Sequence, residues 1–132
     1  MKLFGTDGIR GEFGKPPINH NELLKIGYAF AKSLFDNKVG KILISNDGRE
    51  SSSAIEEALS LGIKHQGSEV FFIGLYPTPA LSIYLNSTAQ SSEMRAGIQI
   101  TASHNPYYDN GVKFFDNNGY KINSNFEETI EN

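Results

Sequence analysis

The chain has 132 residues, with 12 Lys plus Arg against 15 Asp plus Glu, three His and no Cys, for a formal net charge of −3. That is the length of one domain able to bury a core, and the absence of cysteine excludes a disulfide scaffold, a thiolate zinc site, an iron–sulfur cluster and a cysteine nucleophile. A net acidic chain with scattered lysines has no basic stripe for a duplex, so no nucleic-acid partner is expected.

The first residues, Met1-Lys2-Leu3-Phe4-Gly5, form no apolar signal core, and no later run approaches the ~18 apolar residues of a membrane span. The reading is a soluble, cytoplasmic protein with no membrane partner. Segments of apolar character alternate with segments of helical period, the pattern of an α/β domain with helices packed on a sheet. A short strand is predicted over 2–4, then a Gly-rich turn over 5–11 and loop residues to Pro17. Asn19 and Glu22 have capping-box spacing, and Leu23, Ile26, Phe30 and Leu34 recur on one face of a helix that ends at Asp36-Asn37. Residues 41–45 (Lys-Ile-Leu-Ile-Ser) read as a buried strand ending in the loop Asn46-Asp47-Gly48-Arg49, where Asp47 and Arg49 pair or brace the turn. Ser53 and Glu56 suggest a second capping box, with Ile55, Ala58, Leu59 and Gly62 along the helix behind it. Residues 69–74 are the next strand. Thr78-Pro79 then supplies a cap and an N1 proline for a short helix over 80–85. An exposed, polar connection over 86–95 leads to strands over 97–101 and 111–115. Ser124 and Glu127 cap a helix over 125–132, which the chain leaves after about two turns. The expected fold is a three-layer α/β/α domain, residues 1–132, on a mixed, mainly parallel sheet.

Chemistry concentrates after the fourth predicted strand, in Thr101-Ala102-Ser103-His104-Asn105-Pro106. Ligands in open α/β sheets gather beyond the carboxyl ends of strands, so Ser103 is well placed. A serine hydroxyl needs activation, and His104, Lys113 and Arg10 are the candidate helpers. The plainer alternative is that Ser103 and Asn105 cap a turn before Pro106. Asp109-Asn110-Gly111 reads as a turn, since these residues tolerate positive φ. Lys113 alternates with Val112 and Phe114, so it points away from them. The glycines of 5–11 could bring backbone N–H groups to a phosphate, although the segment matches neither a dinucleotide fingerprint nor a P-loop. His20 and His65 are too far apart to suggest a metal site.

Phe4-Gly5-Thr6-Asp7-Gly8-Ile9-Arg10-Gly11, Thr101-Ala102-Ser103-His104-Asn105-Pro106 and Asn110-Gly111-Val112-Lys113-Phe114, in that order, resemble the α-D-phosphohexomutases. The likeness covers residues 3–121, and Tyr107-Tyr108-Asp109-Asn110-Gly111 is most like the bacterial phosphoglucosamine mutase branch. Pro77-Thr78-Pro79 also agrees. A Gly-Arg-Asp-Thr-Arg stretch usual in the family reads Ser45-Asn46-Asp47-Gly48-Arg49 here, keeping the aspartate and the last arginine. The resemblance implies that Ser103 is the active-site phosphoserine, which passes its phosphoryl group to a sugar monophosphate through a bisphosphate intermediate. It implies Mg2+ held through a phosphoserine oxygen at Ser103, Arg10 near the phosphoserine, Lys113 as a proton-transfer group and His104 lining the site. Such a transfer needs cations and a metal to offset the charge of the moving group.

Members of that family have four domains, and this chain resembles the first. Its five Asp, at 7, 36, 47, 109 and 116, are dispersed and form no metal loop. The expectation is a phosphosugar substrate met together with the further domains, and no turnover by these 132 residues alone. The alternatives are a phosphoglucomutase or phosphomannomutase domain, or a non-catalytic binding module with the same fold.

Overall fold

The computed structural model describes residues 8–36, 38–46, 48, 51–75, 78–87, 95–101 and 109–122. In chain order these form β1 (Ile9–Glu12), α1 (His20–Phe35), β2 (Lys41–Asn46), α2 (Ser52–Gln66), β3 (Glu69–Leu75), α3 (Thr78–Ser87), β4 (Arg95–Ile100) and β5 (Asp109–Phe115). The sheet order is β1-β5-β4-β2-β3. Strand β2 pairs in parallel with both β3 and β4, whereas β5 is antiparallel to β4 and to β1. It follows that β1 to β4 share one direction and β5 runs against them, a mixed, mainly parallel sheet as expected.

The helices form where local and tertiary signals agree. Asn19 Oδ1 accepts from Glu22 N at 3.0 Å, so the predicted cap of α1 is made. Leu23, Ile26 and Phe30 follow on the buried face. Helices α1 and α2 pack backbone to backbone at Gly62, where a Cβ would fall on Leu24 O and lie 2.7 Å from Tyr28 N. Together they cover one face of the sheet, over Ile42, Ile44, Ile98, Val112 and Phe114. The Phe30 and Phe114 rings meet there at 4.6 Å between centroids. On the other face Leu81 and Leu85 of α3 pack on Leu43 and Phe115. Gly97 admits Leu85 closely, since a Cβ there would lie 2.6 Å from its Cδ1. The layers are thus α/β/α.

Several local expectations are corrected. The end of the Gly-rich turn is a strand, because Ile9–Glu12 pairs along β5 in the register Ile9 to Val112 through Glu12 to Asp109. For the same reason Asp109-Asn110-Gly111 is not a turn but the start of β5. The second capping box does not form: α2 starts at Ser52, and Ser51 at its N-cap makes no side-chain cap bond. Of the expected pair, Ser53 lies inside the first turn of α2 and Glu56 Oε1 accepts from Asn46 Nδ2, while the N-cap Ser51 Oγ accepts from Asn110 Nδ2. Helix α3 is longer than expected and includes Thr78 itself. The predicted connection loses both ends, with Asn86 and Ser87 in α3 and Arg95 buried at the start of β4, its Nε donating to Asn117 Oδ1 at 3.2 Å. The predicted strand over 2–4 and helix over 125–132 lie outside the described residues.

Candidate active site

Strands β2 and β4 end together at Asn46 and Ile100, and antiparallel β5 begins beside them. On the face that carries α3, the register lays two rows of residues across this end of the sheet. The outer row runs from Arg10 through Gly111 to Thr101, whose N donates to Gly111 O at 2.9 Å. The inner row runs from Gly8 through Lys113 and Gln99 to Ser45. Period-two alternation sends Val112 and Phe114 into the α1/α2 core and leaves Lys113 on this opposite face, half-buried.

Arg10 reaches its place because Gly111 has no side chain. A Cβ on Gly111 would lie 2.8 Å from Arg10 Cγ and 2.9 Å from Thr101 O, so the arginine stem crosses the space a larger residue would fill. The sheet therefore brings Arg10 and Lys113 to adjacent rows of one face. Glu12, further along β1, is engaged by Lys15 at 2.8 Å, and its hydrogen bond and charge hold the Lys15 ammonium above the usual lysine range. Ser103 follows Thr101 by two residues in the chain. Ser103 and His104 lie outside the described residues, as do Asp47 and Arg49.

Two buried polar clusters support this end, and sequence reading assigned neither. Ser45 and Gln99, both fully buried, are joined by a bond from Ser45 Oγ to Gln99 Oε1. Asn110, also fully buried, donates to Ser51 Oγ at 2.9 Å and Ser52 Oγ at 3.3 Å, and accepts from Gly111 N at 2.8 Å. Buried polar groups persist when each finds a partner, and here the partners come from different elements. The visible signal was Gln99 itself, a polar residue inside the apolar strand Gly-Ile-Gln-Ile-Thr.

Among the described residues no three His, Asp or Glu side chains gather into a metal site. His20 opens α1 and His65 lies in the last turn of α2. These residues do not by themselves fit a magnesium ion. What the described face offers is two cations beside the end of a strand, an arrangement suited to an anionic group.

The chain matches a family model described as phosphoglucomutase/phosphomannomutase, alpha/beta/alpha domain I, over residues 1–132. It is 47% identical over 130 residues to a phosphoglucosamine mutase of Histophilus somni (strain 2336), covering 98% of this chain and 28% of that protein. To a phosphoglucosamine mutase of Buchnera aphidicola subsp. Baizongia pistaciae it is 44% identical over 131 residues, covering 99% and 28%. A crystal structure of a putative phosphomannomutase from Thermus thermophilus superposes with a TM-score of 0.81 at 30% identity, covering 99% of this chain and 29% of that one. The chain thus spans little more than a quarter of the length of the relatives it matches.

Proposed function

Because the chain belongs to the phosphoglucomutase/phosphomannomutase family, as its alpha/beta/alpha domain I, we propose that it is the phosphoserine-bearing domain of a phosphosugar mutase. The substrates in this reading are hexosamine 6-phosphate and hexosamine 1-phosphate. The observation that carries it is the 47% identity to a phosphoglucosamine mutase over 130 residues. Identity to the solved phosphomannomutase relative is lower, at 30%.

The chemistry is phosphoryl transfer from Ser103. The bond between phosphorus and Ser103 Oγ breaks as phosphorus bonds to a sugar hydroxyl oxygen, giving the bisphosphate. The hydroxyl proton is taken up and the serine oxygen is protonated, with Lys113 as the proton-transfer group. The bisphosphate then turns over and returns its other phosphoryl group to Ser103, restoring the phosphoserine. Arg10 offsets the charge of the transferring group, which a guanidinium does through paired, fixed donors. His104 lines the same site.

Magnesium belongs to this reading as a counter-charge on the moving phosphoryl group. Phosphorylated Ser103 would supply one oxygen to it, and its other donors would come from beyond these 132 residues. On this account the 132 residues alone do not turn over substrate, and the phosphosugar is met jointly with further domains. A cytoplasmic setting goes with the reaction, and among the described residues no helix is long and apolar enough to cross a membrane.

The test is a substrate panel on the full-length protein that carries this chain, with glucosamine, glucose and mannose 6-phosphates. Turnover of glucosamine 6-phosphate well above the other two, lost in Ser103→Ala, is the expected result. Preference for mannose or glucose phosphate would move the assignment to another branch, and full activity of Ser103→Ala would end the proposal.

A further inference from the structure

Lys113 is flanked in the sheet by a glycine on one side and a glutamine on the other. Two residues lie directly across from it in the sheet: Gly8, just ahead of β1, and Gln99 on β4. Gly8 offers no wall, and the two further glycines on this face are covered by others, Gly111 by the Arg10 stem and Gly97 by Leu85. The bond from Thr101 N to Gly111 O makes 101 and 111 a hydrogen-bonded pair, so Gln99 and Lys113, two residues on, form the next such pair. Their Cα atoms are then about 5.5 Å apart with side chains on one face. Gln99 is fully buried and tied to Ser45 on the far side of β4, which fixes a long, rotamer-rich side chain in one arrangement.

We infer that Gln99, anchored by Ser45, is a positioning residue for Lys113: it is the side wall that limits where the lysine amine can stand. A flexible four-carbon stem flanked by glycine has many rotamers, and only some put the amine in reach of a reacting hydroxyl. Burying two polar side chains that serve each other adds little to stability over an apolar pair, so their place beside Lys113 accounts for them better than packing does. This inference rests on the proton-transfer role proposed for Lys113.

The experiment uses the full-length protein with glucosamine 6-phosphate, comparing wild type, Gln99→Leu, Lys113→Ala and the double variant. Gln99→Leu is expected to lower kcat about 10-fold, the scale of a small misplacement of a reacting group, while KM stays within about twofold and phosphoserine content is unchanged. In the Lys113→Ala background the same substitution is expected to do nothing further. An unchanged kcat in Gln99→Leu, or an equal drop with and without Lys113, overturns the inference. Should Gln99→Leu fail to fold, Ser45→Ala replaces it. This change removes only the anchor, with a smaller loss of kcat expected and the same dependence on Lys113. If Lys113→Ala alone retains full kcat, the role given to Lys113 fails first, a result distinct from an independent effect of Gln99.

Discussion

Replacing Asn110 by Ala tests whether the end of the sheet is held together by side-chain hydrogen bonds. The asparagine is fully buried and makes three: to Ser51 Oγ at 2.9 Å, to Ser52 Oγ at 3.3 Å and from Gly111 N at 2.8 Å. Truncation removes the acceptor of Gly111 N inside the protein, which costs about 1–3 kcal/mol. Ser52 is 2% exposed and loses a donor, but that bond is long and its hydroxyl can rotate, so its share is about 1 kcal/mol or less. Ser51 is half-exposed and water replaces its partner. The total is about 1–4 kcal/mol, a sizeable part of the 5–15 kcal/mol typical of a domain. Urea unfolding of the chain reads this directly: with a slope of about 1.5 kcal/mol per M, the midpoint falls by about 0.7–2.7 M at unchanged slope. Asn118→Ala, on an exposed turn, is the control and is expected to shift the transition by no more than about 0.5 kcal/mol. If Asn110→Ala moved the midpoint no more than Asn118→Ala does, the hydrogen bonds would not be what joins β5 to α2.

Three further substitutions probe the scaffold. Gly62→Ala should gain up to about 1 kcal/mol of helix propensity yet lower the melting temperature, because its Cβ meets Leu24 O and lies 2.7 Å from Tyr28 N; a raised melting temperature contradicts the close helix contact. Phe30→Ala, which removes the ring packed 4.6 Å from Phe114, should cost about 3–5 kcal/mol by urea titration, and a cost under about 1 kcal/mol would mean the core collapses around the gap. Gly111→Ala should displace the Arg10 stem, whose Cγ lies 2.8 Å from the new methyl, and reduce kcat/KM of the full-length protein at least about 10-fold; an active, stable Gly111→Ala variant argues that Arg10 is not needed where it stands.

What could be read from the sequence follows from how local each signal is. Asn19 with Glu22, and the apolar spacing behind them, are contained in one stretch of chain, and α1 forms as expected. The apolar run at Ile42, Leu43 and Ile44 likewise needed no partner to be recognised as a buried strand. Glycine misled twice, at Gly8–Gly11 and Gly111, because composition suggests a turn wherever glycine clusters. Here two of these glycines answer a neighbour's demand for space: Gly8 lies against Val112 and Gly111 lies under Arg10. Ser53 and Glu56 looked like a cap because nothing local shows that α2 starts at Ser52, ahead of Ser53, or that Glu56 is taken by Asn46 from the end of β2. Gln99 and Ser45 are 54 residues apart, so their bond is written nowhere in either segment. At the site, resemblance supplied Ser103, His104, Arg10 and Lys113, and the fold brings Arg10 and Lys113 onto one face.

The place of β5 in the sheet governs the order in which the protein can assemble. Strands β2, β3 and β4 follow one another along the chain, and β2 pairs directly with the other two. Strand β1 has no neighbour among them. Among the described strands it joins the sheet along β5 alone, a partnership between residues 9–12 and 109–112. Contacts of such long sequence separation are closed late because the loop entropy comes due before the pairing repays it. During synthesis from the ribosome, β1 is made before the other described strands yet is the last to be seated, since it waits for residues 109–112 to emerge. Arg10 rides on that strand, so Arg10 and Lys113 come to share one face only when the sheet itself is complete.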